Sequence, residues 1–270
     1  MDLISKARFI DVDGGINFRD AGGYGTADGG YVKRGLLYRC GHLADLSDAG
    51  RGSFTKLNIR LVCDLRADEE RDVHPHPVFS ESTHELVQLS IWPKSTPDFS
   101  RTVQLLAEGN ITFDEALARQ SLSYSELVKD FSYQYKAMFQ HIVQAAGDAV
   151  LIHCASGKDR TGFGIALIQL ALGVPVSSVM EDYMLSNEAT GTADRVMYFT
   201  RRFANGVSPE QLEAIEEQIQ ILFAARRERL QAAFDTIISR YHSFETYFSS
   251  VLGIDTAARQ LLKQSYVQAG

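Results

Sequence analysis

The segment HCASGKDRTG, residues 153–162, sets Cys154 six positions before Arg160 in a polar break between two apolar runs, AVLI and FGIALIQLALG. A thiolate is a nucleophile, and a guanidinium is a planar fork that grips two oxygens of a tetrahedral anion at once. Read as a strand turning into a helix, the break also offers unpaired N–H groups and the positive end of the helix dipole. Gly157 lets the backbone curl so that the N–H groups of Ala155, Ser156, Gly157 and Lys158 can converge on one oxyanion. Cys154, at the base of that ring, is expected to ionise to thiolate near neutral pH and to face a bound phosphate in line. Thr161 can donate to the sulfur and ease its departure in a second step, and His153 is placed to orient the loop.

The spacing alone is a weak signal. Arginine is about 5% of an average chain, so Cys-x5-Arg arises by accident in roughly one three-cysteine chain in seven. The histidine before the cysteine, the glycine between, the threonine after the arginine and the apolar runs on both sides make the pattern specific. The bland alternative is a buried, inert cysteine in a strand-to-helix turn.

Cleavage of a phosphate ester by a thiolate expels an alkoxide or phenoxide, so a proton donor must stand near the leaving oxygen. Asp159 lies inside the loop, where a phosphate dianion would disfavour its carboxylate and raise its pKa. Its other reading is a cap on the following helix. Asp64, at the end of an apolar strand where α/β sites form, is the second candidate. Lys158 has no duty at the thiolate, yet would face a bound substrate.

The elements that must position these residues follow the alternation of an α/β layer. Ser47 reads as the N-cap of a helix running to Leu57, and IRLVCDL as a strand. Asp28-Gly29 between Tyr24 and Tyr31 is a hairpin signal. Four prolines between His74 and Pro97 predict irregular chain around a short strand, HELVQLSI. Leu127, Phe131, Tyr135, Met138, Phe139 and Ile142 recur near a 3.6-residue period and predict one amphipathic helix over 123–146, ended by Gly147. Ser208-Pro209-Glu210-Gln211 marks a helix start that runs on past Leu230 toward Tyr241. One α/β domain, residues 1–270, with a helical C-terminal extension accounts for the pattern.

Composition narrows the function. Hydrophobic residues make up 45% of 270, enough for a core without staples, and three cysteines, Cys40, Cys63 and Cys154, with no Cys-x-x-Cys pair argue against a disulfide framework or a zinc site. Cys63 reads as a buried strand residue, with the added possibility that it traps an oxidised Cys154 as a disulfide. The histidines outside the loop show no ligand spacing. A net charge of −7 disfavours nucleic-acid or anionic-membrane roles for the whole surface, while leaving room for one positive pocket. No signal peptide or ~20-residue apolar span is evident, which predicts a cytoplasmic protein or one exported without a classical signal.

HCASGKDRTG resembles the phosphate-binding loop of cysteine-dependent protein tyrosine phosphatases. With NFRDAGG at 17–23, GLLYRCGHL at 35–43, CDLR at 63–66, DYMLSN at 182–187 and RYHSFETYFSSVLGI at 240–254, the chain is similar to the atypical bacterial tyrosine and phosphoinositide phosphatases. That group includes the mycobacterial-type protein tyrosine phosphatase B and the listerial-type lipid and tyrosine phosphatase; residues 72–130 are least well matched. The resemblance implies a central sheet flanked by helices and hydrolysis through a cysteinyl-phosphate on Cys154, with Arg160 as anion clamp. It implies Asp159 as proton donor, since the Trp-Pro-Asp loop of larger relatives is replaced here by Trp92-Pro93-Lys94, with Asp98 the nearest acid. It associates Lys158 with activity on inositol lipids and residues 189–225 with a helical lid whose apolar underside would be Ile215, Ile219, Ile221, Leu222 and Phe223. Phosphotyrosine proteins or phosphoinositide head groups are the implied partners, with phosphoserine/threonine as further substrates of a dual-specificity enzyme, phosphate or sulfate would bind the loop, and no metal or organic cofactor is called for. The rival readings are a lipid phosphatase whose tyrosine activity is incidental, a phosphate-binding module without turnover, and a rhodanese-type sulfurtransferase. Arg19 and Asp20 are expected to pair with each other or to buttress the loop, and Arg201, Arg202, Arg226 and Arg227 to be solvated.

Overall fold

The computed structural model describes residues 8–79, 84–96, 99–189, 196, 200 and 206–270. Asp98 and, within the 189–225 segment, residues 190–195, 197–199 and 201–205, Arg201 and Arg202 included, lie outside the described residues. The first half runs β1 (Arg19–Asp20), β2 (Tyr31–Val32), β3 (Leu37–Cys40), α1 (Asp48–Lys56), β4 (Ile59–Asp64), α2 (Asp68–Val73), β5 (Glu85–Gln88), α3 (Phe99–Ala107), α4 (Phe113–Lys129) and α5 (Ser132–Gln144). The second runs β6 (Ala149–His153), α6 (Asp159–Leu172), α7 (Val176–Met184), α8 (Pro209–Phe223), α9 (Arg227–Tyr241), α10 (Thr256–Tyr266) and β7 (Val267–Gln268).

Five strands form one sheet in the order β1-β3-β6-β4-β5. Only the β1–β3 pair is antiparallel. The central strand β6, AVLIH, is buried at every position, as a strand covered on both faces must be. Its last residue, His153, sits opposite Cys40 of β3 and Asp64 of β4. The chain therefore delivers Cys154 to the carboxyl ends of three parallel strands, where α/β folds place their sites. α6 leaves from the same point and is buried almost all round, which explains its uniformly apolar sequence. Gly162 permits close packing, because a Cβ there would lie 2.8 Å from the Tyr183 ring.

Helix starts follow their caps. Ser47 accepts from the Gly50 N–H at the head of α1, and Ser208 with Gln211 forms a capping box, with proline in the first turn, on α8. Two helices predicted as continuous are each two. The segment 123–146 breaks at Asp130–Phe131, between α4 and α5; both halves face one core, so the apolar period carries across the break and hides it. The helix from Pro209 stops at Ala224, which is extended. There Asn187 accepts from the Ala225 N–H at 2.6 Å and donates to its carbonyl at 2.9 Å, a tertiary clamp that no local signal announces. Asp28-Gly29 does turn the chain, and Gly25 bridges to Tyr31, but β2 takes β7 from the chain's far end as its strand partner. Of HELVQLSI only Glu85–Gln88 is strand.

The apolar side of α8 contributes Ile215, Ile219 and Leu222 to a small separate core with Val103, Leu106, Ile111 and Ala116 of the α3–α4 region. Ile221 and Phe223 are only half buried. No helix among the described residues is long and apolar enough to cross a membrane.

Candidate active site

Residues 154–160 form a loop in which the carbonyls of Ala155 to Lys158 and of Arg160 are engaged from behind. The Ala155 carbonyl accepts from the His42 N–H at 2.9 Å. Asn17 Nδ2 donates to the carbonyls of Ser156 (3.4 Å) and Gly157 (3.0 Å). Arg39 Nη2 donates to those of Gly157 (2.9 Å) and Lys158 (3.4 Å), and the Tyr135 hydroxyl donates to that of Arg160 (3.2 Å). In a trans peptide the N–H points away from the preceding carbonyl. The N–H groups of Ser156, Gly157, Lys158 and Asp159 are thus turned to the opposite, inner side, and among the described residues no acceptor takes them. Gly157, at φ +66°, is required, because a Cβ there would lie 2.3 Å from the carbonyl carbon of Cys40. Gly157→Ala should therefore cost more than about 2 kcal/mol of stability, from left-handed strain plus overpacking. Comparison of urea unfolding midpoints with wild type checks this.

Cys154 is buried at the floor of the loop with 1% of its surface exposed. Arg160 reaches it from a fixed direction. Its Nη1 and Nη2 both donate to the Glu70 carboxylate, Nη2 at 2.8 Å, Nη1 also donates to the Ile91 carbonyl at 3.1 Å, and the Trp92 ring lies 5.7 Å from the guanidinium carbon. Burial opposes the Arg160 charge, but Glu70, the Cys154 sulfur and Asp159 outweigh it and hold the guanidinium protonated. Burial likewise works to raise the Glu70 pKa, and Arg160 reverses it, so the net shift is downward.

Asp159 opens α6. Its Oδ1 accepts from the Tyr124 hydroxyl at 2.6 Å, the Tyr124 oxygen lies 2.6 Å from that of Tyr183, and Oδ2 lies 3.5 Å from Lys158 Nζ. Burial acts to raise the Asp159 pKa, but Lys158, Arg229 and the Tyr124 hydrogen bond prevail and the net direction is down. The shift expected from the sequence is the one a bound phosphate would cause, and these partners lay outside that reading. Lys158 is no solvated charge: Nζ donates to the Phe223 carbonyl at 2.6 Å, at the C-terminal end of α8. Burial leads the downward shift of its pKa.

Asp64 is fully buried and bound twice by Arg66, with Nε–Oδ1 at 2.8 Å and Nη2–Oδ2 at 2.6 Å. Burial pushes its pKa up, but His153 and Arg66 bring it down to about 2. His153 stands between Asp64, 3.7 Å from its Nε2, and the Cys154 carbonyl, 3.4 Å from Nδ1; burial holds the imidazole toward its neutral form. Thr161 is fully buried, and its hydroxyl makes no hydrogen bond among the described residues. Cys40 and Cys63 are both buried and their thiols are pushed up, first by burial. Cys40, opposite His153, is the one that also senses Cys154.

Arg19 does not pair with Asp20. It donates from Nη2 to the Asp182 carbonyl at 2.9 Å, while Asp20 accepts from the backbone N–H groups of Gly22 and Gly35 at 2.7 and 2.9 Å. Residues that sequence reasoning passed over are Glu70, Tyr124, Tyr183 and Arg229, the last capping the α8 carbonyls of Leu222 and Ala224 at 2.8 and 3.0 Å. Glu70 alone had a local signal, since its carboxylate accepts from the Ala67 N–H at 2.9 Å as the third residue of α2. His42, Asp45 and His74 bring donor atoms within 4.8 Å of one another and are the group that could hold a metal ion among the described residues. Linear spacing conceals this because His74 comes from a different loop, its ring stacking on that of His42 at 4.5 Å.

A parallel-centred sheet delivering a cysteine into a loop of inward N–H groups, closed by an arginine, defines the class of cysteine-dependent phosphatases. The model described as the tyrosine phosphatase family matches residues 10–268, and the chain belongs to that family. It is 28% identical over 264 residues to the triple specificity protein phosphatase PtpB of Mycobacterium tuberculosis, covering 88% of this chain and 91% of that one. It is 27% identical over 251 residues to a provisionally named tyrosine-protein phosphatase of Cupriavidus necator, covering 89% and 83%. Among solved structures it is similar to the core catalytic domain of the PP-IP phosphatase SIW14 from S. cerevisiae, at 13% identity and a TM-score of 0.33 over 76% of this chain and 88% of that one.

Proposed function

We propose that this chain hydrolyses phosphotyrosine monoesters through a cysteinyl-phosphate on Cys154. The observation that carries the reading is the loop itself, whose carbonyls are tied outward and whose N–H groups face a buried thiol beside an arginine oriented by Glu70. The thiolate attacks phosphorus, the bond to the ester oxygen breaks, and Asp159 gives that oxygen its proton. Water then displaces the sulfur with Asp159, now a carboxylate, taking the water's proton. The three equatorial oxygens lie against the loop N–H groups and the Arg160 fork, which stabilise the charge of the transition state in a low-dielectric floor.

Asp159 is favoured over Asp64 as the acid on two grounds. Asp64 has both oxygens occupied by Arg66, whereas Asp159 lies on the loop's rim with Oδ2 held only by Lys158 at 3.5 Å. A bound phosphate dianion acts against Lys158 and Arg229 and raises the Asp159 pKa toward the working range. Asp159→Asn should slow a phosphotyrosine peptide by about a hundredfold and an aryl phosphate with a good leaving group by under about tenfold; equal losses would move the role to Asp64. A donor must be protonated, so kcat falls as pH rises through its pKa. Because the Tyr124 hydrogen bond favours the carboxylate, Tyr124→Phe should move that alkaline limb to higher pH. Lys158 supports keeping phosphoinositides in the assay, since Nζ stands one residue from the acid within the loop. Phosphate release from phosphotyrosine peptides and from a phosphoinositide panel tests the proposal; no turnover on either by wild type would leave the binding-module reading.

A further inference from the structure

Three distant segments, NFRD, LYRC and DYMLSN, meet beneath the loop in a buried network that the reaction itself does not use. Asp182, 1% exposed, accepts from Arg39 Nη1 at 2.6 Å through Oδ2 and from the Tyr24 hydroxyl at 3.2 Å through Oδ1, with Arg19 Nε 3.5 Å from Oδ1. Arg19 and Arg39 are both fully buried. Arg19 Nη1 donates to Asn17 Oδ1 and Nη2 to Ser186 Oγ at 3.2 Å. Two arginines thus share one carboxylate, while Arg39 Nη2 and Asn17 Nδ2 end on loop carbonyls. Asn17 itself stands at φ +52°, a left-handed conformation that asparagine tolerates better than most residues. That backbone turns its amide onto the loop, and the Gly41 N–H donating to the Ile16 carbonyl at 2.7 Å fixes the approach.

We propose that Asn17, backed by Arg19, Arg39 and Asp182, is a positioning residue that sets the reactivity of Cys154 through the peptide dipoles of the loop. The proposal rests on Cys154 being the nucleophile. A donor on the Ser156 or Gly157 carbonyl polarises that peptide and makes the N–H of Gly157 or Lys158 a stronger donor on the opposite, inner side, where the thiolate and the phosphoryl oxygens lie. It also holds the peptides in the orientation that keeps those N–H groups inward. Arg160, Lys158, Tyr135 and Cys40 are each coupled electrostatically to Cys154, and none is altered by changing Asn17.

Asn17→Asp and Asn17→Gly separate this role from a merely structural one. Aspartate tolerates the left-handed backbone and keeps an oxygen for Arg19, but cannot donate to the carbonyls. Glycine adopts φ +52° without strain and removes the amide without adding charge. The measurement is the rate of Cys154 alkylation by iodoacetamide from pH 5 to 9, followed by mass spectrometry, with unfolding midpoints and steady-state kinetics on a phosphotyrosine peptide. At pH 6 alkylation should fall by about tenfold in Asn17→Asp, and by a smaller factor in Asn17→Gly. On the phosphotyrosine peptide kcat should fall more than KM rises. A folded Asn17→Gly or Asn17→Asp protein whose alkylation profile and kcat match wild type would overturn the proposal, as would a uniform loss of thermal stability with the profile unmoved. Alkylation needs no turnover, so failure here is distinguishable from failure of the nucleophile assignment, which Cys154→Ser tests separately.

Discussion

Cys154→Ser is expected to lose turnover on phosphotyrosine peptides by at least about ten-thousand-fold while still binding phosphate. The physical reason lies in what the loop is tuned to. The inward N–H groups and Arg160 face an anion bound over the floor, but a serine hydroxyl placed there, far less acidic than a thiol, stays protonated and is a poor nucleophile. Among the described residues no histidine or carboxylate is hydrogen-bonded to position 154 as a base: His153 Nδ1 meets the Cys154 carbonyl at 3.4 Å rather than its side chain. The cradle itself survives, since its N–H groups depend on Asn17, Arg39 and His42 and not on the sulfur. Phosphate affinity by calorimetry, beside kcat from phosphate release, checks both halves. Turnover retained in the serine variant would remove Cys154 from the mechanism.

The second large effect concerns Arg160 and the carboxylate that aims it. Arg160→Lys should reduce kcat/KM by about a thousandfold, because an ammonium is a point donor and cannot span two equatorial oxygens. Glu70→Gln should cost less, roughly 10- to 100-fold, since it leaves the fork in place but loosens its orientation. A Glu70 effect on kcat without a matching effect on KM would identify it as orienting Arg160 for the transition state. The pair also carries a pH signature. The folded Glu70 pKa is depressed, so its contribution to stability is present above the unfolded-state value of about 4.3 and is lost as pH falls through the lower folded value. Wild type and Glu70→Gln should therefore differ in urea midpoint at pH 7, and the difference should shrink in acid.

The two predictions differ in how visible their residues were beforehand. Cys154 and Arg160 lie on one turn between two apolar runs, and their spacing carries the chemistry because a single strand-to-helix turn positions both. Glu70 enters from 90 residues away, on a helix whose sequence, DEERDV, reads as an ordinary acidic first turn. Nothing in that stretch specifies that its third residue reaches an arginine of another element. The same holds for Tyr124, an apolar-looking position on α4 that holds Asp159, and for Arg229, one of several charges in ARRER until its guanidinium is found buried under the end of α8. The downward direction at Asp159 in this structure was hidden for the same reason. Local sequence supplied the loop and the anion, while Lys158, Arg229 and Tyr124, which set the direction, include two residues that only packing brings near.

Local periodicity likewise identified apolar faces but not where helices stop. The breaks at Asp130–Phe131 and at Ala224 leave the apolar pattern intact, because helices on either side of a short break can still face one core. Capping chemistry was more reliable where a side chain closes its own helix, as at Ser47 and Ser208. It was silent where the stop comes from Asn187, more than thirty residues distant in sequence.

By itself the sequence determined the chemistry-bearing turn, its strand and helix and the α/β class, and hence the proposed nucleophile and anion clamp. These are properties of short-range geometry, in which residue type, spacing and the N-terminus of one helix suffice. Only the tertiary structure decided which charges face which. It set Arg160 against Glu70, tied Lys158 to the end of α8, closed both oxygens of Asp64 with Arg66, and gathered Asn17, Arg39 and Asp182 beneath the loop. Electrostatic partnership depends on distance and burial in three dimensions, and neither is written in the spacing of residues along the chain.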